Sequence, residues 1–278
     1  MLICVDGTGT GQGVMGKNRA ANYAVSMMGS FVGLIYYGSH LPNRKYYQGP
    51  DLLGIGPNMV PPWKAYQQIR EYWRQGDHQI FMTGYSRGAA ILINTAFMMK
   101  DRNNKMPDGQ YAEVEAMFLF DAVSRSIELP FSQTIPSNVN NCYHAMRKDS
   151  TGSRRSFGHC GTTKEGGNNG FVTETFYTTH GGMGGVLWGE NGLPNLTKDV
   201  QAQTFLQATA DAHTRGPLVF RDRFVPNEQA ARERVLALSR IDEGSPDGLT
   251  NVTVAQEKGG SDAVHAWMWP YLRKHSVL

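Results

Sequence analysis

His78-Gln79-Ile80-Phe81-Met82-Thr83-Gly84-Tyr85-Ser86-Arg87-Gly88-Ala89-Ala90-Ile91-Leu92-Ile93-Asn94-Thr95-Ala96 is the stretch on which the fold turns. Its first part, to Tyr85, reads as an apolar strand; from Ala89 to Lys100 an alanine- and methionine-rich run reads as a helix. The joint, Gly84-Tyr85-Ser86-Arg87-Gly88, is a G-x-S-x-G pentapeptide. A strand-to-helix turn at such a pentapeptide holds its serine in a strained conformation at the carboxyl edge of a sheet. Glycines are needed two residues before and after the serine, because the backbones come too close there for side chains. The helix start behind Ser86 also brings a positive dipole end to the place where an oxyanion would form. An ordinary turn with a surface serine is the bland alternative.

Working outward, short apolar runs alternate with helical patterns. Leu2 to Val5 is predicted to be a strand, followed by a glycine loop from Gly7 to Gly16. Asn18 is placed to cap a helix over about Arg19 to Ser30. Gly33 to Tyr37 is predicted as a second strand and Leu41 to Val60 as a loop. Pro61-Pro62 suits the first turn of a helix running to about Arg74. Val114 to Phe120 is the most apolar strand and is expected at the centre of the sheet; Asn138 to Met146 and Phe171 to Thr178 follow as strands. Ser150 to Gly170, dense in Gly, Ser, Thr and Asn, reads as a loop. Helices are expected over roughly Asp199 to His213, Asn227 to Ser239 and Ser261 to Lys274, with Glu243 to Gly260 as loop. Strands alternating with helices imply an α/β fold: a mostly parallel central sheet with helices on both faces. The 278 residues are read as one domain with a helical C-terminal part from about residue 199.

A serine hydroxyl needs a base, and the base needs an acid to orient it. At a strand-to-helix nucleophile turn the chain order is Ser, then Asp or Glu, then His. Asp121 directly follows the strand ending in Phe120, so it is expected at the same sheet edge as Ser86. Asp149, after the next strand, is the alternative acid. Of eight histidines, His40 and His78 precede Ser86, His144 lies inside a strand, and His159 neighbours Cys160 in the loop. His180 ends a predicted strand and enters Gly181-Gly182-Met183-Gly184-Gly185, a run able to bend the imidazole back over the sheet edge. His180 is the preferred base and His265, on an amphipathic helix, the alternative. The oxyanion donors are expected to be the Arg87 N–H and the glycine loop Gly7-Thr8-Gly9, with Asp6 bracing that loop.

A rival motif lies nearby. Gly11-Gln12-Gly13-Val14-Met15-Gly16 is a literal G-x-G-x-x-G, the signature of a nucleotide-dependent oxidoreductase. Five residues separate it from the end of the first strand, and Gly33 to Tyr37 leads into Gly38, Ser39 and His40 rather than a ribose-binding acid. A hydrolase-type fold serving only as a non-catalytic binding module is the third reading.

Composition narrows the partners. Lys plus Arg total 27 and Asp plus Glu 24, a net charge of +3, which does not suggest a nucleic-acid binder. Transient contact with a membrane surface is compatible with the pI of 8.7. The three cysteines are too few and too scattered for a disulfide framework, and no metal or cofactor is expected. Met1 to Val5 is apolar but Asp6 ends the run, so a soluble cytoplasmic start with no cleaved leader is expected. A leaderless chain can still leave through a dedicated secretion machine. Met27, Met28, Trp63, Phe131, Leu187 and Trp188 are candidates for an apolar groove, or for core.

Taken together these motifs resemble the α/β-hydrolase domain family that includes type VI secretion phospholipase effectors. The likeness spans about Leu2 to Trp188. It is carried by Val5-Asp6-Gly7-Thr8, the elbow Gly84 to Ala89, Phe120-Asp121-Ala122-Val123, His144-Ala145 with Asp149, and Thr178-Thr179-His180-Gly181-Gly182-Met183-Gly184-Gly185. Gly182 stands where the family pattern has an aspartate, and Asp149-Ser150 replaces an Asp-Glu pair. The resemblance implies an α/β-hydrolase-like domain, the triad Ser86, Asp121 and His180, and a lipase or phospholipase acting on lipid or other esters. It also implies export as an antibacterial effector, with an immunity protein or secretion-machine component as partner.

Overall fold

The computed structural model describes residues 1–7, 29–49, 62–101, 104–123, 132–153, 158–187, 196–198 and 249–278. Its centre is a six-stranded sheet built from β1 (Leu2–Val5), β2 (Arg44–Tyr47), β3 (Ile80–Tyr85), β4 (Val114–Phe120), β6 (Val139–Arg147) and β8 (Phe171–Phe176). The strand order is β2-β1-β3-β4-β6-β8, and every adjacent pair is parallel. Two short pairs stand apart: β5 (Thr134–Ile135) with β7 (Thr163–Lys164), and β9 (Leu196–Lys198) with β10 (Leu249–Thr253). Five described helices accompany them: α1 (Phe31–Gly38), α2 (Pro62–Arg74), α3 (Arg87–Lys100), α4 (His180–Met183) and α5 (Val254–Lys274).

A parallel sheet must be covered on both faces, and two apolar clusters do this. Ile3, Val5, Ile80, Met82, Met117 and Leu119 point to the face covered by α2 and α3. Leu2, Cys4, Phe81, Phe118 and Phe120 point the other way, toward α1 and α5. The alternation along β1, β3 and β4 follows the period of two that sends successive side chains to opposite faces. All six residues of β3 are buried, as are the last five of β4. The pair lies in the middle of the sheet, as expected of the most apolar strand.

Strand order reverses direction at β1, whose neighbours are β2 on one side and β3 on the other. The crevice outside the carboxyl ends at such a switch point is where open α/β sheets bind ligands. Gly7 follows β1 and Ser86 follows β3, so both stand at that point.

Three sequence-based expectations are corrected. Gly33 to Tyr37 is not a strand but lies in α1. Ser30 caps this helix, its Oγ accepting the Gly33 N–H at 3.0 Å, and Phe31, Val32 and Ile35 form a buried stripe of helical period. The second strand is instead Arg44–Tyr47, within the expected loop; its charged residues suit an edge strand. Glu243 to Gly260 is not all loop: Leu249–Thr253 is a strand and α5 begins at Val254. Of the helix expected over about Arg19 to Ser30, residues 19–28 lie outside the described residues, while Gly29 and Ser30 are not helical and Ser30 caps α1; the helices expected over 199–213 and 227–239 lie outside the described residues.

Candidate active site

Ser86 sits at the junction of β3 and α3 with φ 58° and ψ −128°. That left-handed φ is costly for a residue with a Cβ. The neighbouring strand ends hold it there. The Ser86 N–H donates to the Phe120 carbonyl at 2.9 Å, and the Ser86 carbonyl accepts from Val123 at 3.3 Å and Ala90 at 3.4 Å. The flanking glycines are steric necessities. A Cβ on Gly84 would stand 2.7 Å from the Ala89 Cα, and one on Gly88 would stand 2.3 Å from both the Asp6 and Val5 carbonyl oxygens.

The structure brings Ser86, Asp121 and His180 together. His180 Nε2 lies 2.8 Å from Ser86 Oγ, and His180 Nδ1 lies 2.6 Å from Asp121 Oδ2. Asp121 accepts from Nδ1–H, which leaves Nε2 as the acceptor for the serine hydroxyl. All three side chains are almost completely buried. Asp121 directly follows β4 and also has a positive φ, 45°. Its backbone N–H donates to the Ala145 carbonyl at 2.7 Å.

His180 opens α4. Thr179 caps that short helix by accepting the Gly182 N–H, and the His180 N–H donates to Ser153 Oγ at 2.9 Å. The Tyr85 hydroxyl donates to the His180 carbonyl at 2.8 Å. Helix α5 holds the same turn from behind: the Thr178 hydroxyl donates to the Glu257 carbonyl at 2.8 Å, and the Thr179 hydroxyl donates to the Glu257 carboxylate. Backbone bonds, a tyrosine and a buried glutamate thus fix where the imidazole sits.

Arg147, the last residue of β6, was not anticipated from sequence. It is buried, and its Nη1 donates to Asp121 Oδ2 at 2.6 Å, the same oxygen that His180 uses. Its Nε donates to the Ser153 carbonyl at 2.7 Å. The sequence offers only a partial signal, a charged residue at the end of a predicted strand; that this strand end lies beside the acid comes from the β4–β6 pairing. His159 Nδ1 lies 3.2 Å from Asp121 Oδ1 without hydrogen-bond alignment, and its Nε2 lies 3.2 Å from Asp149 Oδ1. Burial pushes the Asp121 carboxyl up, but the Arg147 charge and the two histidines outweigh it and hold the group well below the usual carboxylate range. Asp121 is therefore an anion at neutral pH.

The other predicted residues fall as follows. Asp149 lies in a one-turn 3-10 helix with its side chain 94% exposed, bonded to His159 rather than His180. It borders an open cavity of about 510 Å³ also lined by Arg147, Ser150 and Ser153. His265 stacks on Trp269 at 3.8 Å between ring centroids and is not the histidine on Ser86. Arg87 is the first residue of α3, the position whose N–H serves an oxyanion at such a turn. Gly7 differs from expectation: its N–H donates to Asp6 Oδ1 at 2.8 Å, because the carboxylate just before it folds back over it. What Gly7 supplies is space, since a Cβ there would stand 2.5 Å from the Tyr85 ring and 3.2 Å from Ser86 Cβ. Thr8, Gly9 and the Gly11–Gly16 motif lie outside the described residues, as do Met27, Met28, Phe131 and Trp188. Trp63 and Leu187 are exposed.

Asp6 is fully buried and accepts from Ser30 Oγ at 2.5 Å and the Tyr46 hydroxyl at 2.7 Å, besides Gly7. Burial raises its carboxyl to about 6 against the opposing pull of these three donors. His144 is a buried structural residue. The Ala122 N–H donates to its Nε2 at 3.1 Å, so its Nδ1 carries the proton, 3.0 Å from the Gly161 carbonyl. Burial lowers it to about 4 despite the Gly161 bond and the nearby Asp121. Among the described residues, no group of three or more His, Cys, Asp or Glu is arranged to hold a metal ion. No described helix is long and apolar enough to cross a membrane. No family model matches the chain, and no curated protein matches it either.

Proposed function

We propose that the protein is a serine hydrolase that cleaves carboxylic esters through an acyl-enzyme. One observation carries this reading: the buried chain from Ser86 Oγ to His180 Nε2 at 2.8 Å and from His180 Nδ1 to Asp121 Oδ2 at 2.6 Å. Both contacts lie within the range required of a nucleophile, its base and the base's orienting acid. In the first half-reaction His180 Nε2 takes the hydroxyl proton as Ser86 Oγ attacks the ester carbonyl carbon. Asp121 keeps the imidazole in the Nδ1–H tautomer and balances its charge once it is protonated. The carbonyl oxygen becomes an oxyanion beside the Arg87 N–H and the start of α3. His180 then passes its proton to the departing alcohol oxygen as the C–O bond breaks. Water repeats the sequence on the acyl-enzyme, losing its proton to His180, and Ser86 regains the proton as the acid leaves.

Lipid esters are the proposed substrate class. The support is the motif resemblance running from Val5-Asp6-Gly7-Thr8 through His180 to Gly185. That same resemblance supports export through a type VI secretion machine and pairing with an immunity protein. The chemistry stands on the triad geometry alone.

The test is a fluorophosphonate probe followed by peptide mapping, with a p-nitrophenyl ester and then a lipid panel as substrates. The adduct is expected on Ser86, and Ser86→Ala is expected to lose on the order of 10⁶-fold in kcat. Undiminished ester hydrolysis by Ser86→Ala, or an adduct elsewhere, overturns the reading.

A further inference from the structure

Arg147 and His180 donate to one and the same carboxylate oxygen, Oδ2 of Asp121, each at 2.6 Å. A catalytic acid that serves only its histidine lends the whole of its negative charge to the imidazolium formed during catalysis. Here a permanent cation has a prior claim on that charge. An arginine stays protonated at every relevant pH, whereas histidine changes charge near neutrality.

The competition has a definite sign. A positive charge close to the imidazole disfavours its protonated form directly. It also offsets the carboxylate that would otherwise favour that form. Both effects lower the proton affinity of His180, so the ring remains a neutral, working base at more acidic pH. The same contact anchors the site mechanically. Arg147 Nε donates to the Ser153 carbonyl, and Ser153 Oγ accepts the His180 N–H. One guanidinium therefore braces both the acid and the backbone of the base.

We infer that Arg147 is a positioning residue that tunes His180, shifting the working range of the site toward acid by drawing on the charge of Asp121. This deepens the hydrolase reading and rests on it for its consequence in catalysis. The other groups around His180 are Asp121 from β4, Tyr85 and Ser86 from the β3 end, His159 and Ser153 from the loop after β6, and Glu257 from α5 through Thr179. Asp6 at the β1 end has its carboxylate occupied by Gly7, Ser30 and Tyr46. Of these, a substitution at 147 removes a bond from Asp121 and from the Ser153 carbonyl, and Arg147→Lys is included because it keeps the charge while losing the guanidinium geometry.

The experiment is an NMR pH titration of the histidine rings in wild type, Arg147→Met and Arg147→Lys. The His180 signal is identified by its loss in His180→Gln. The quantity read is the His180 midpoint of each variant relative to that of wild type. In Arg147→Met it is expected to rise by about one unit, and in Arg147→Lys to remain closer to wild type than to Arg147→Met. The rate of fluorophosphonate labelling as a function of pH gives the catalytic counterpart: its acid limb should move up by the same amount in Arg147→Met. A purely structural arginine would weaken labelling at all pH values without moving the limb. An unshifted midpoint in Arg147→Met overturns the inference. Should that variant not fold, Arg147→Gln, which keeps a polar side chain but not the charge, carries the same test, and an unshifted midpoint in it overturns the inference. The ring titration needs no turnover, so absent labelling of Ser86 with a shifted His180 midpoint refutes the hydrolase reading and leaves the electrostatic role of Arg147 standing.

Discussion

A side chain at position 88 has nowhere to go. Its Cβ would lie 2.3 Å from two carbonyl oxygens of β1 and the residue after it, and backbone oxygens cannot rotate aside as a flexible side chain can. Gly88→Ala is therefore expected to lose more than about 3 kcal/mol of stability, at the upper end for overpacking. Gly158→Ala, which meets nothing within 4 Å, should change the thermal midpoint little. Thermal unfolding of the two variants side by side checks this. The requirement at 88 was legible in the bare sequence, because the pentapeptide states it. Ser86, Asp121 and His180 were legible for the same kind of reason: a strand end, a strand end and a glycine run each say where a side chain emerges. Arg147 was not, because nothing in a one-dimensional string says that the ends of β4 and β6 lie side by side.

Helices and strands divided along the same line. Where apolar residues dominate a short run, as in β1, β3 and β4, the sequence-based reading and the structure agree closely. It failed where composition and period disagreed. Gly33-Leu34-Ile35-Tyr36-Tyr37 has the residues of a strand, yet the burial of Phe31, Val32 and Ile35 beside exposed Leu34 and Tyr37 has the spacing of a helix. Helix α5 is expected from sequence only from Ser261, after a loop to Gly260, yet it begins at Val254 and contains Gly259-Gly260. Gly260 is there for close approach: a Cβ on it would stand 2.5 Å from the Tyr177 carbonyl, next to the turn that carries His180. A positive signal was available in Thr253-Val254-Ala255-Gln256, a capping box in which both reciprocal bonds form. Thr253→Ala should cost about 1 kcal/mol, read as a lower midpoint in thermal or denaturant unfolding.

At the scale of the whole molecule, two of the described buried groups titrate in opposed senses. His144 is lowered to about 4 in the folded state, so between about 6.5 and 4 the unfolded chain binds the extra proton, and stability is lost as pH falls. Asp6 is raised to about 6, so between about 6 and 3.8 the folded chain binds the extra proton, and stability is gained as pH falls. Each effect is worth about 3 kcal/mol across its window, and over the shared range they offset one another. Relative to wild type, Asp6→Asn is expected to lose stability more steeply on acidification from pH 6 to 4, and His144→Gln to gain it. Thermal midpoints measured across that range check both slopes. The sequence marked Asp6 as a brace for its loop and His144 as a strand residue, but not their altered titration, since burial and hydrogen bonding are properties of the assembled sheet. The parallel architecture was legible from alternation alone; its strand order, with the reversal at β1, was not.

Ninety-four positions separate the hydroxyl from the imidazole that completes it. During synthesis the serine leaves the ribosome long before its activating partner has been translated. Until β3, β4 and β6 have zipped together and α4 has docked over them, Ser86 is an ordinary alcohol. On the proposed hydrolase reading, a half-made chain that lacks α4 carries the alcohol without its base and is expected to leave esters intact until α4 docks.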